Sequence, residues 1–592
     1  MERAEKLSAL RRQMEEHQID ACLVVDADPH ISEYAPRHYR ERSWLSGFTG
    51  SNGTLVVTRR ESGLWTDGRY YLQAERQLEG SEILLYRMSD PGVPRVEEFL
   101  SQRLEEGSRV ALNGKLFSAA QVERLAGQLA PRQVTVRADL DLIAPIWTEG
   151  RDPISKAPAF LYGEEYAGSP AAQKLACLRE QMEPLGLTHY LVSGLDDVNW
   201  LFNIRGEDVD CSPLAFSFGL VSTGEAILYL DEEKRTPGLC RYLKENGVLL
   251  RPYRQLYRDV AELGEGAVLG LHSGSANAAI DALVPQTVRK EHTPNLVGRE
   301  KAVKNAAEME WARRRHLQDG AVMVRFLCWL KNTVGRDPLT EQSAVEKLYE
   351  LRAQVEGFHS VSFETIAGYQ SNGAIVHYKP NPETAAPLAP EGLLLVDSGA
   401  QYLGSTTDIT RTVALGPLTD QQKRDFTLVL KCFIRLSRAR FLKGATGKQL
   451  DILSRGILWE RGLDYKHGTG HGVGSFLGVH ESPPNFSDNT TELQAGMIIS
   501  VEPGLYREGA YGIRTENLVL VTPDGEDPAL GQFLRLEPLT HCPIDLEAVE
   551  LSLLTGEERD WLNRYHRTVR ERLWELLPAQ ERDWLREATR EI

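Results

Sequence analysis

The sequence predicts a multidomain α/β (α+β) protein whose last large domain is strand-rich and carries the chemistry. Three observations lead there. The 592 residues are too many for one ordinary core. A helix–strand–turn order in the first 150 residues is replayed in the next 150. After Gly373, apolar strands alternate with acid-bearing turns around the histidine-rich run HGTGHGVGSFLGVHE, His467 to Glu481.

The opening segment MERAEKLSALRRQMEEHQ has apolar residues at helical spacing and neither an apolar h-region nor a small-residue cleavage site, so it reads as mature structure. A strand from Ala21 to Val25 follows, then the turn-rich WLSGFTGSNG at Trp44 to Gly53 and a hairpin end feeding a helix over Trp65 to Leu78. Trp44, Trp65, Arg69 and Tyr70 are read here as packing residues. The Pro- and Gly-loaded stretch Trp147 to Pro170 lacks a clean period and marks a linker. Beyond it come a helix, a strand at His189 to Ser193 and DDVNWLFNIRG, in which Asn-Trp-Leu answers the earlier Ser-Trp-Leu. That shared order predicts duplication.

From Arg299 a long, charged, helically periodic segment opens the third domain, and most of its charges are expected on a solvated face. Two later stretches resemble one another, LLLVDSGAQYLGSTTDITRTV and MIISVEPGLYREGAYGIRTENLVLV. Each is an apolar strand, then Val-acid-x-Gly, a turn and a second strand with a second acid, giving Asp397 and Asp408 in the first and Glu502 and Glu516 in the second. The tail reads as two short helices around Leu577 and Pro578, and its apolar faces call either for the chain's own catalytic domain or for a subunit interface. The expected domains are 1–150, 151–300, 301–545 and 546–592.

Bulk properties narrow the partners. A net charge of −16 opposes nonspecific nucleic-acid binding, and no apolar run approaches the roughly 20 residues that span a bilayer. Seven scattered cysteines without a CxxC pair disfavour a disulfide framework or thiolate metal site and suit a reducing, cytoplasmic setting.

The glycine density of His467 to Glu481 argues for a shaped loop or sheet edge. His467 and His471 have the i, i+4 spacing of a zincin helix, but the glycines and the missing glutamate oppose that reading. Acids at the ends of buried strands repel unless a cation compensates them. Two Asp, two Glu and one or more His make a hard ligand set that suits manganese or another divalent first-row ion. Bridging carboxylates fit two ions about 3.5–4 Å apart.

With HGTGHGVG, VHE, EPGLY, IRTEN and the upstream NGAIVHY in view, the chain resembles the pita-bread metallopeptidases in their proline-peptidase branch. The duplicated front half and the tail containing DWLNRYH are similar to the three-domain, eukaryotic-cytosolic-like aminopeptidase P family, so the resemblance covers nearly the whole chain. It implies two creatinase-like domains, a pita-bread catalytic domain and a helical extension. It also implies Asp397, Asp408, His471, Glu502 and Glu516 as ligands of two divalent ions, with Mn2+ the expected metal. A water bridging the ions is the expected nucleophile, and Glu502 the proton acceptor and shuttle. His480 is assigned to the developing oxyanion and His377 and His467 to the leaving-proline side, with Tyr506 and Arg514 as substrate-binding walls or supports. The activity implied is removal, from peptides, of an N-terminal residue that precedes proline; a homodimer supported by the C-terminal helices is a separate expectation. The alternatives are an Xaa-Pro dipeptidase (prolidase), a creatinase-like hydrolase that needs no metals, and a non-catalytic binding module of the same fold; the complete ligand set argues against the last two.

Overall fold

The computed structural model describes residues 1–487 and 491–592, which divide into two compact units. The first comprises residues 1–164 and 169–297, the second residues 165–168 and 298–592.

The first unit holds two six-stranded sheets built on one plan. In chain order the strands of the first sheet are Ala21–Val24, Thr54–Thr58, Ser62–Thr66, Ile83–Arg87, Arg109–Ala111 and Thr135–Arg137. In the second sheet they are His189–Val192, Phe218–Ser222, Ala226–Tyr229, Val248–Arg251, Val268–Leu271 and Arg289–His292. In both, the fourth strand lies beside the third, then the second, first, fifth and sixth. The first three strands pair antiparallel as a meander, and the outer pairs are parallel in both sheets. The Trp-Leu echo lies in corresponding helices, Glu41–Ser46 and Leu195–Leu201, each following its sheet's first strand. Trp65 is buried and stacks on Tyr86 at 4.0 Å, and Trp44 stacks on Trp147 at 5.1 Å. Arg69 closes a local fork on Asp67, and Tyr70 is buried. All four are packing or turn residues.

In the second unit Asn305 caps the helix Ala306–Thr333 by accepting from the amides of Ala307 and Glu308. At about 1.5 Å per residue its 28 residues span roughly 42 Å. Glu308, Arg315, His316 and Asp319 are buried, which corrects the expectation that the helix's charges are mostly solvated. Asp319 ion-pairs with Arg352 at 2.9 Å and accepts from the Tyr402 hydroxyl at 2.8 Å, so the charge is neutralised where it lies. The helix also packs where Gly320 stands, since an added Cβ there collides with the His541 carbonyl. Part of the predicted linker belongs to this unit: the Trp311 indole donates to the Glu165 carbonyl at 2.7 Å and Asn305 to that of Ala167 at 2.9 Å.

Two sheets carry the acid segments. Leu393–Ser398 lies between Ile366–Tyr369 and Ile409–Ala414, all antiparallel, with Asp397 opposite Thr410. The other sheet runs Arg440–Leu442, Gly531–Pro538, Asn517–Asp527, Ile498–Val501, His471–Gly472 and Glu481–Asn485. Between the paired strands of each acid segment the chain makes a two-stranded excursion, Ala400–Tyr402 with Ser405–Thr406 and Gly504–Arg507 with Tyr511–Arg514. The similarity seen between the two stretches is therefore one of architecture. The Glu516 amide donates to the Thr410 carbonyl at 3.1 Å and joins the sheets where the acids emerge.

The tail forms the helices Gly556–Leu573 and Ala579–Ala588, the first longer than the expected short helix. Leu562, Val569, Leu573 and Leu585 are buried in the same core as Phe433 and Ile499. At about 2 kcal/mol for each buried aliphatic side chain, this face already stabilises its own domain.

Candidate metal centre

Strand ends place the acids. Asp397 closes the strand Leu393–Ser398, Asp408 precedes Ile409–Ala414, and Glu502 and Glu516 stand just outside Ile498–Val501 and Asn517–Asp527. Asp397, Asp408 and Glu516 are 8%, 4% and 1% exposed. His471 enters on a two-residue strand held by Ile499 on one side and by Glu481 and Asn485 on the other, second from the sheet's edge. That approach requires glycine. A Cβ at Gly470 would collide with the Ser500 carbonyl, and one at Gly472 with the Glu481 carbonyl.

The side chains converge. Ligand atoms of Asp408, His471 and Glu516 all lie within 4.8 Å of one another. His471 Nε2 is 3.5 Å from Asp408 Oδ2 and 3.6 Å from Glu502 Oε1, while Nδ1 is 2.9 Å from the Gly472 carbonyl. Donation from Nδ1 to that carbonyl turns Nε2 toward the carboxylates, the atom that would ligate an ion once deprotonated. Asp397 joins through Arg514, whose Nη2 donates to its Oδ2 at 2.6 Å, and the Thr410 hydroxyl donates to Glu516 Oε2 at 2.7 Å.

The charge balance calls for cations. Burial raises Asp397 to about 7, with the neighbouring Asp408 adding to the shift and Arg514 opposing it. Burial raises Glu502 as well, and burial reinforced by Asp408 and Asp397 raises Glu516 well above the carboxylate range. Burial alone lowers His471, yet its hydrogen bond to Asp408 and the charges of Glu502 and Asp408 outweigh that and raise it to about 9. Asp397 Oδ1 and Asp408 Oδ1 are buried acceptors with no hydrogen-bond partner among the described residues. Buried orphan acceptors within a repelling carboxylate cluster fit divalent ions.

Two of the other predicted histidines, His480 and His467, lie beside this cluster. The His480 ring lies 4.3 Å from that of His471. His467 Nε2 is 2.8 Å from the Tyr506 hydroxyl, which accepts from Arg514 Nη1 at 2.6 Å, so a chain of contacts runs from His467 to Asp397. His467 Nδ1 is 3.9 Å from Glu502. His377 is half-buried, and the carbonyl of its neighbour Val376 accepts from Arg514 at 3.4 Å. Of Arg514 and Tyr506, read as substrate walls or supports, Arg514 bonds Asp397 directly and Tyr506 bonds Arg514 and His467.

Some supports escaped the sequence reading. Ser500 accepts from the His471 amide at 2.9 Å, and Arg455 donates to the carbonyls of Tyr465 and His467 at 2.9 and 3.1 Å. Thr410 was legible only as an alternate strand position opposite Asp397. Arg455 lies on the helix Gly447–Trp459, and no local pattern pairs it with the loop.

"Aminopeptidase P2" of Arabidopsis thaliana is 39% identical over 97% of this chain and 86% of its own length. "Probable Xaa-Pro aminopeptidase P" of Sordaria macrospora is 38% identical over 96% of each. The chain belongs to the aminopeptidase P family. Within it, residues 310–523 match the model of metallopeptidase family M24, and 532–592 match the C-terminal region of peptidase M24. Residues 6–142 and 150–308 each match the creatinase/prolidase N-terminal domain, in accord with the two like sheets. An X-prolyl aminopeptidase of Caenorhabditis elegans, described as a cytosolic enzyme with a di-nuclear active site, superposes with a TM-score of 0.96 at 33% identity over all of both chains. An aminopeptidase P fold thus frames the cluster of Asp397, Asp408, His471, Glu502 and Glu516.

Proposed function

We propose that this chain hydrolyses the bond between an N-terminal residue and a following proline, using two divalent ions held by Asp397, Asp408, His471, Glu502 and Glu516. The observation that carries the reading is the convergence of Asp408, His471 and Glu516 within 4.8 Å beside buried orphan oxygens of Asp397 and Asp408. When bound, two such ions supply an activated water and polarise the scissile carbonyl. Mn2+ suits the oxygen-rich set.

The chain's own groups do the rest. Glu502 stands between His471 and His467, and burial raises its affinity for a proton. It can accept the proton of the attacking water and pass it to the leaving proline nitrogen. His480, beside His471, donates to the developing oxyanion. His467 and His377 line the proline side, His467 being oriented by Tyr506 and Arg514. Such a pocket replaces the N–H handle that an Xaa-Pro amide lacks.

Turnover of an Xaa-Pro, Xaa-Pro-Xaa and longer series, measured with and without Mn2+, tests the reading. The expected result is Mn2+-dependent release of the first residue from peptides longer than two. Activity confined to dipeptides assigns the chain to prolidase, and no hydrolysis with any divalent ion leaves a binding module. We also propose a cytoplasmic homodimer. None of the seven cysteines is joined in a disulfide, as suits a reducing compartment. Sedimentation of the full chain as a monomer at micromolar concentration, or its recovery outside the cytosol on fractionation, contradicts that assignment.

A further inference from the structure

The Arg411 guanidinium stands where three segments of the second unit meet. It lies on Ile409–Ala414, three residues beyond Asp408, and is 2% exposed. Its Nη1 donates to the carbonyls of Thr410 at 2.9 Å and Glu516 at 2.6 Å. Nη2 reaches Asn517 Oδ1 at 2.8 Å and the Cys542 carbonyl at 2.9 Å, and Nε donates to the Pro543 carbonyl at 2.9 Å. One side chain therefore grips the strand after Asp408, the backbone of Glu516 itself, and the segment leading into the tail.

Tyr565 closes the arrangement from the helix Gly556–Leu573. Its hydroxyl accepts from Arg411 Nη2 and from Asn517 Nδ2, each at 3.1 Å, and donates to the Cys542 carbonyl at 2.9 Å. The tail thus does more than bury an apolar face. A metal site needs its ligands held within a few tenths of an ångström, and buried polar networks with every member paired are what hold backbone that tightly.

We propose that Tyr565 and Arg411 are positioning residues of the metal centre, through which the C-terminal segment sets the separation of the Asp408 and Glu516 strands and hence the affinity for the ions. The proposal rests on the ligand assignment above. Neighbours that orient ligands typically change metal affinity by about 10- to 100-fold when removed, and that is the size of effect expected here.

The test is calorimetric titration of the metal-stripped full chain with Mn2+. Tyr565→Phe keeps the ring and removes only the hydroxyl, and is expected to weaken binding by about 10-fold or more, with kcat restored at saturating Mn2+. Asn517→Ala cuts the same connection from the Glu516 side, must shift affinity in the same direction, and decides the matter if the tyrosine variant does not fold. Trp561→Leu is the control. That indole stacks on Tyr565 at 5.3 Å and meets Phe433 edge-on, so its loss lowers Tm through packing while sparing the hydroxyl's bonds and leaving Mn2+ affinity unchanged. Unchanged affinity in Tyr565→Phe, or an equal loss in Trp561→Leu, overturns the proposal while the ligand assignment stands. A wild-type chain that binds no Mn2+ overturns both.

Discussion

Asp408→Asn is expected to lose bound metal and activity together, with kcat/KM falling by about 10³-fold or more, equivalent to roughly 4 kcal/mol of transition-state stabilisation. Asp408 lies 3.5 Å from His471 Nε2, and its Oδ1 is buried without a hydrogen-bond partner among the described residues. An amide in its place removes one of the negative charges that would draw a dication, and offers an N–H where a lone pair is needed. Unfolding does not explain the loss. Without metal, the Asp408 charge raises Asp397, Glu502 and Glu516 by repulsion but also holds His471 by a hydrogen bond and by charge, so removing it relieves one interaction and gives up another. The two effects offset, and the metal-free variant should accordingly melt close to the metal-free wild type. Elemental analysis beside kcat/KM reads the result, and a variant that keeps full metal content takes Asp408 out of the ligand set.

His480→Ala should separate binding from turnover. Its ring packs at 4.3 Å against His471 without belonging to the carboxylate cluster, so the variant is expected to keep its metal. Loss of one donor to a developing oxyanion lowers kcat by about 10²- to 10³-fold, or roughly 2.7–4 kcal/mol, with a smaller change in KM. Measurement of metal content together with kcat distinguishes the outcomes. Metal-free His480→Ala protein would erase the division between ligands and substrate histidines.

Much of the site could be read locally because the relevant signals are short. Val-acid-x-Gly after an apolar run is a strand end with a buried acid, and both such stretches form that element followed by an excursion and a second strand. The glycines of His467 to Glu481 announced close backbone approach, and Gly470 and Gly472 meet neighbouring carbonyls too closely for any side chain. The Trp-Leu echo pointed to two copies of one sheet plan. Pattern misled on the helix Ala306–Thr333, since its polar residues read as solvated and several are buried in ion pairs and hydrogen bonds. Periodicity counts polar positions but does not show which of them finds a partner.

The sequence by itself determined the residue types of the centre, their order and the strands that present them, because alternation and turn chemistry act over a few residues. Only the tertiary structure decided what supports them. Arg514 meets Asp397 across 117 positions, Thr410 meets Glu516 across 106, and Arg411 meets Tyr565 across 154. Such pairings follow from strand register and from the docking of the tail, where a shift of one residue exchanges the faces of a strand. No local pattern encodes them.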